Sequence, residues 1–154
     1  MDLRSIDLQY PTILQMPGPH LRGYPPESVV EEKFQALVFL GSVNSRMKDF
    51  YDLWVLAEQF EFDGRILQQA IINTFQRRNT ELPKETPVGL RDSFAAENQV
   101  QWQAFIQRTR LGNAPKLLSN VTQVLDSLLV PPLQTSSLGD IFQGVWKPGG
   151  LWRD

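Results

Sequence analysis

Apolar residues recur at helical spacing in five stretches of the chain. The first opens at Pro25-Pro26-Glu27, with proline in the first turn and an acid near the positive end of the dipole. It is expected to run to Phe39 or Leu40 and to stop at Gly41. At about 100° per residue, Val29, Val30, Phe34, Ala36, Leu37 and Leu40 form one stripe, with Glu31, Glu32 and Gln35 opposite. Lys33 falls inside the stripe, flanked by Val29, Val30, Ala36 and Leu37. A lysine placed there must snorkel, meet an acid or meet an anionic ligand. In the second stretch Ser45 is the expected N-cap for a helix from Arg46 to about Gln59. Met47, Phe50, Tyr51, Trp54 and Ala57 make its core side, while Lys48, Asp49 and Asp52 share the other.

Asp63-Gly64 caps a third helix reaching about Arg78, with Ile66, Leu67, Ala70, Ile71, Thr74 and Phe75 as its apolar stripe. Residues 79–91 carry Pro83 and Pro87 and read as a loop, and a short turn at Asp92–Ala96 leads to a fourth helix from Gln99 to about Leu111. Trp102, Phe105 and Ile106 are its core positions, and Gly112-Asn113 and Pro115 close it. The fifth helix spans about Lys116 to Val130 through Leu118, Val121, Leu125, Leu128 and Leu129, and Pro131-Pro132 is expected to end it. Ahead of these, residues 1–26 hold five prolines and no sustained period, which predicts an extended arm laid across the helices. Behind them, Trp146 and Trp152 predict a tail docked on the body. The expected architecture is mainly α: an arm over 1–26, a helical domain of about five helices over 27–132, and an irregular packed tail over 133–154.

Composition narrows the classes. A chain of 154 residues with 42% hydrophobic and 21% charged residues is able to bury one core. A net charge of −2 gives no general attraction to polyanions, so any such site must be local. The chain has no cysteine and one histidine, His20, which excludes disulfides, thiolate chemistry and a His-rich metal site. No apolar run approaches the ~20 residues of a membrane span, and the first residues lack the regions of a signal peptide. A cytoplasmic protein without membrane contact is expected.

Gly41-Ser42 followed by Asp49 and Asp52 invites comparison with a two-metal nucleotidyl-transfer motif. That chemistry needs acids two apart on a strand, so that both reach one face. Here they are three apart in a helical context, and no metal site is assigned. Arg46, Lys48, Asp49 and Asp52 instead form an ionic cluster directly after the helix that carries Lys33. One reading is a solvated face with a structural lysine–aspartate bridge between helices. The other is a lysine that grips phosphate, with aspartates positioning it or a nucleophile. Arg77-Arg78, with Lys84, Arg91, Arg108 and Arg110, either frame a basic groove or lie scattered over the surface.

Two segments carry a family resemblance. They are Tyr24-Pro-x-Glu27-Ser-Val-Val-x-Glu32-Lys33-Phe-x-Ala36-Leu37-Val and Asn44-Ser-Arg-Met-Lys-Asp49-Phe-Tyr-Asp52-Leu53-Trp. With Phe62-Asp-Gly, Ala70-Ile, Thr74-Phe75-x-Arg77-Arg78-x-Thr80-x-Leu-Pro83 and Gln101-Trp102-x-Ala-Phe105, they resemble the AbiEii/AbiGii toxin family of nucleotidyltransferases over roughly Tyr10 to Val130. The resemblance implies a phage-defence or toxin–antitoxin enzyme that transfers a nucleotide from a nucleoside triphosphate with magnesium to an RNA acceptor. It implies that Lys33 contacts the triphosphate, with Arg46 and Lys48 also on the nucleotide, and that Asp49 and Asp52 are the late acidic, catalytic pair. The family's Gly-Ser and Asp-x-Asp elements lie upstream of the matching segments. The chain is therefore expected to correspond to the helical C-terminal portion of such an enzyme, with no cofactor of its own and no activity alone. The alternative expectation is a helical interaction module that pairs with a separate N-terminal half, with itself or with an antitoxin.

Overall fold

The computed structural model describes residues 25–154, and within them the chain is mainly α. The elements are α1 (Pro26–Leu40), α2 (Met47–Gln59), β1 (Phe62–Asp63), α3 (Gly64–Arg77), the short α4 (Asp92–Glu97), α5 (Gln99–Thr109), α6 (Leu118–Ser137), β2 (Val145–Trp146) and β3 (Trp152–Arg153), with 3-10 turns at Gly41–Val43 and Val88–Leu90. Five long helices and one short turn of helix match the expectation. The expected arm, apart from Pro25 and Pro26, lies outside the described residues.

α1 packs on α3 and α2 on α6, and α1 also meets α2. Phe34 and Phe75 join the first pair at a ring-centroid distance of 5.6 Å. Phe50 stacks on Phe94 at 5.5 Å, which ties α4 to α2. The 3-10 turn at Val88–Leu90 seats against the end of α1, where a Cβ on Gly89 would stand 2.8 Å from a methyl of Leu37. α1 stops at Gly41 with φ of 55°, the left-handed region that glycine enters without strain. Asp63 caps α3, its carboxylate accepting from the N–H of Arg65 at 2.9 Å and of Ile66 at 3.2 Å.

Three local expectations fail. Ser45 does not cap α2; the Asn44 side chain accepts from the Arg46 N–H at 2.8 Å, and this local turn delays the helix to Met47. Gln35, expected on the polar side of α1, is buried and donates to Thr80 Oγ1 at 2.9 Å. Ile66 is 53% exposed, whereas Gln68 is buried. The Gln68 amide donates to the carbonyls of Pro132 and Asp140 and accepts from the N–H of Phe142, so a polar residue makes the core contact there.

The prolines do not end α6. Pro131 and Pro132 lie inside it, and the helix continues to Ser137. An internal proline supplies no N–H to the carbonyl four residues earlier. For Pro132 that carbonyl belongs to Leu128, and the Trp152 indole N–H donates to it at 3.2 Å. The indole thus replaces the missing backbone donor. The C-terminal segment wraps back to make this contact through an antiparallel sheet of order β1-β2-β3, pairing Phe62 with Trp146 and Trp146 with Trp152. Trp146 is fully buried and donates to the carbonyl of Ala57 at 2.8 Å. The segment expected as an irregular tail from residue 133 instead begins inside α6 and carries β2 and β3.

Candidate functional site

The site begins with the lysine on the apolar stripe. α1 carries Lys33 toward the first turns of α2, where Asp49 and Asp52 stand one turn apart on the face that meets α1. Its Nζ lies 3.0 Å from Asp49 Oδ1 and 3.2 Å from Asp52 Oδ2. Both aspartates are buried, at 6% and 5% exposure. This corrects their expected placement on the solvated side with Lys48. A wheel drawn for α2 alone has no term for a cation arriving from another helix, and that cation lets the carboxylates go inside.

Two exposed cations join the cluster from outside. Arg46 Nε stands 2.8 Å from Asp49 Oδ2, and Lys48 Nζ 2.7 Å from Asp52 Oδ2. Three positive charges thus surround two negative ones, and the cluster retains a net positive charge. Burial works against the charge on Lys33, but Asp52 and Asp49 outweigh it and hold its pKa above the usual lysine value. An ammonium has three N–H donors, of which the two aspartates take two. Lys33 also lines an open groove of about 480 Å³ between α1 and α3.

The far flank of this groove comes from the C-terminal end of α3. Arg77 and Arg78 line it, and both are held by one carboxylate, Glu32: Arg77 Nη2 at 2.5 Å and Arg78 Nη2 at 2.8 Å. The other cations that could have framed a basic groove do not join them. Arg91 donates to the carbonyl of Thr86, and Arg108 lies 6.0 Å from the ring centre of Phe105. Glu31 sits beside the groove and accepts from the Thr74 hydroxyl. Burial raises its pKa, while the Thr74 bond works the other way. The roles of Glu31 and Glu32 were not evident in the sequence, where both fall on the polar side of α1. The signal that could have found Glu32 is the adjacent Arg77-Arg78 pair, which needs counter-charge.

Residues 3–127 match the family model described as "Nucleotidyl transferase AbiEii toxin, Type IV TA system". The chain belongs to the AbiEii nucleotidyl transferase toxin family. The match contains α1 to α5, and with them every residue of the cluster and both flanks of the groove. Among curated proteins and solved structures none matches the chain. AbiEii membership implies an antitoxin partner. No helix among the described residues is long and apolar enough to cross a membrane.

Nucleotidyl transfer in the AbiEii family is expected to use magnesium, and the cluster can be tested for fit to that ion. Magnesium requires oxygen ligands in near-ideal octahedral geometry, drawn from carboxylates, waters and phosphates. Asp49 gives one oxygen to Lys33 and the other to Arg46, and Asp52 Oδ2 is shared by two lysines. These carboxylates are neutralised by cations and do not fit a magnesium site. What the arrangement suits is an anion.

Proposed function

We propose that the groove between α1 and α3 is the triphosphate half of a nucleotidyltransferase toxin's active site, serving phage defence or a toxin–antitoxin pair. The observation that carries this reading is the Lys33 ammonium, fixed by Asp49 and Asp52 and lining the groove, within the region matched to the family. Lys33 contacts the triphosphate of a nucleoside triphosphate, and Arg46 and Lys48 add positive potential at the same end. Asp49 and Asp52 serve catalysis through Lys33: they keep it charged and aimed, so that its donor is in place before substrate arrives. The metal-binding carboxylates of the family belong to an Asp-x-Asp element, and no such pair occurs in these 154 residues. On this reading these residues alone do not transfer a nucleotide to an RNA acceptor.

Fluorescent triphosphate binding to the wild type and to Lys33→Met tests the site directly. The wild type is expected to bind, and the variant to lose about tenfold or more in affinity, as for a charge-assisted contact. Equal affinity would remove Lys33 from the site. Incubation with labelled triphosphates, magnesium and RNA tests the activity, and robust label transfer by these residues alone would overturn the half-site reading.

A second reading rests on Phe39 and Val43, which are 73% and 78% exposed around the turn that ends α1. Paired apolar groups of this kind suit an interaction surface for an antitoxin, a separate N-terminal half or a second copy. Light scattering on the eluting protein separates the possibilities, and a monomer that binds none of these partners removes the reading.

A further inference from the structure

Glu32 holds Arg77 and Arg78 together, and that pairing differs in kind from the Lys33 cluster. Asp49 and Asp52 are buried, so their partner cannot be exchanged without exposing desolvated charge. The Glu32 side chain is 35% exposed and the two arginine side chains 57% and 51%. Ion pairs at such exposure contribute little to stability. A more highly charged anion can therefore replace Glu32 at small cost. Guanidinium forks match the oxygens of phosphate as well as those of carboxylate, and two adjacent forks present donors to several oxygens at once. The C-terminal end of α3 favours cations at these positions, and the Phe75 ring beneath anchors the turn in the core.

We propose that Arg77 and Arg78 form a second anion subsite, in the groove that Lys33 also lines, which takes the distal phosphates of a polyphosphate chain, and that Glu32 is the internal carboxylate the ligand displaces. The inference rests on the triphosphate reading of the groove for the identity of the natural ligand, and on the Glu32–arginine geometry for the subsite itself. It makes the length of the phosphate chain a determinant of affinity. A triphosphate long enough to engage both Lys33 and the arginine pair is selected over a monophosphate that reaches one. Glu32 also screens the arginines when no ligand is present, which limits binding of smaller anions.

Calorimetric titration with inorganic tripolyphosphate, ATP, ADP and AMP tests the subsite in wild type, Arg77→Gln/Arg78→Gln and Glu32→Gln proteins. All three positions are at least one-third exposed, so the variants are expected to fold, and thermal melts check it. The double arginine variant is expected to lose about tenfold or more in tripolyphosphate affinity and to flatten the preference for ATP over AMP. Glu32→Gln is expected to bind tripolyphosphate several-fold more tightly than wild type. Tripolyphosphate binding that ignores both arginines, or is absent from wild type, overturns the subsite. Unchanged or weaker binding by Glu32→Gln overturns its displaced-carboxylate role. If tripolyphosphate binds through the arginines but no nucleotide does, the subsite stands and the nucleotide reading of the groove falls.

Discussion

Lys33 is the residue whose environment decides most, because it is the one cation that the buried carboxylates cannot do without. Lys33→Met would leave Asp49 and Asp52 one turn apart on the same face of α2, with Arg46 still on Asp49 Oδ2 and Lys48 on Asp52 Oδ2. Removing one partner of a buried ion pair costs ~3–5 kcal/mol, and the remaining cations place the expected loss near the lower end, ~3 kcal/mol. Urea unfolding at neutral pH reads this directly, and a loss below ~1 kcal/mol would mean the cluster is solvated. The same cluster sets a pH dependence. The folded-state pKa of Lys33 lies above its ordinary value of 10.5, so its stabilisation is fully present below that pH and is lost as pH rises through the folded value. Tyr51, on the same helix as the two aspartates and bonded to Asn113, acts in the same direction, because burial raises its pKa above 10.0. Unfolding free energy should therefore fall in the alkaline range above about pH 10. Lys33→Met and Tyr51→Phe should each remove part of the slope, and a slope unchanged in both would assign the effect elsewhere. At this scale the sequence was legible for Lys33, because a lysine among valines violates its own helix pattern. Asp49 and Asp52 violate nothing on α2, and their burial follows only from a partner on another helix.

At the scale of elements, most helix boundaries were legible because caps and glycines mark them locally. Gly41 and Asp63 act as their residue types dictate. Pro131-Pro132 was misleading because the rule that proline ends a helix assumes the orphaned carbonyl has no other donor. Trp152, far beyond Pro132 in the chain, supplies one, and no local window contains both residues. The exchange predicts a coupling. Trp152→Phe leaves the Leu128 carbonyl unpaired and should destabilise by ~1–3 kcal/mol. In a Pro132→Ala background the backbone N–H restored at that position can close the helical bond to Leu128, so the same Trp152→Phe change should cost less by ~1 kcal/mol. A double-mutant cycle in urea measures the difference, and strictly additive effects would mean the indole donor is incidental.

On the scale of the molecule, the candidate site and the C-terminal clamp occupy different parts of one fold. The groove is built by α1 and α3 and by the start of α2, all within the family match of residues 3–127, whereas Trp146 and Trp152 lie beyond it. The clamp meets the body through β1, the Ala57 carbonyl and the Leu128 carbonyl, none of which lines the groove. The two should therefore be separable by mutation. Trp146 is fully buried and gives its indole N–H to Ala57, so Trp146→Ala removes both a large apolar volume and a donor. A loss of ~3–5 kcal/mol is expected for truncating a buried tryptophan. That loss is large against a typical domain stability of ~5–15 kcal/mol, so the variant should melt well below the wild type yet remain folded in the cold. Under those conditions its affinity for tripolyphosphate should match that of the wild type, because Lys33, Arg77 and Arg78 keep their supports on α1, α2 and α3. Calorimetry at low temperature, with circular dichroism to confirm folding, makes the comparison. A folded Trp146→Ala protein that has lost anion affinity would show instead that the tail holds the groove in shape.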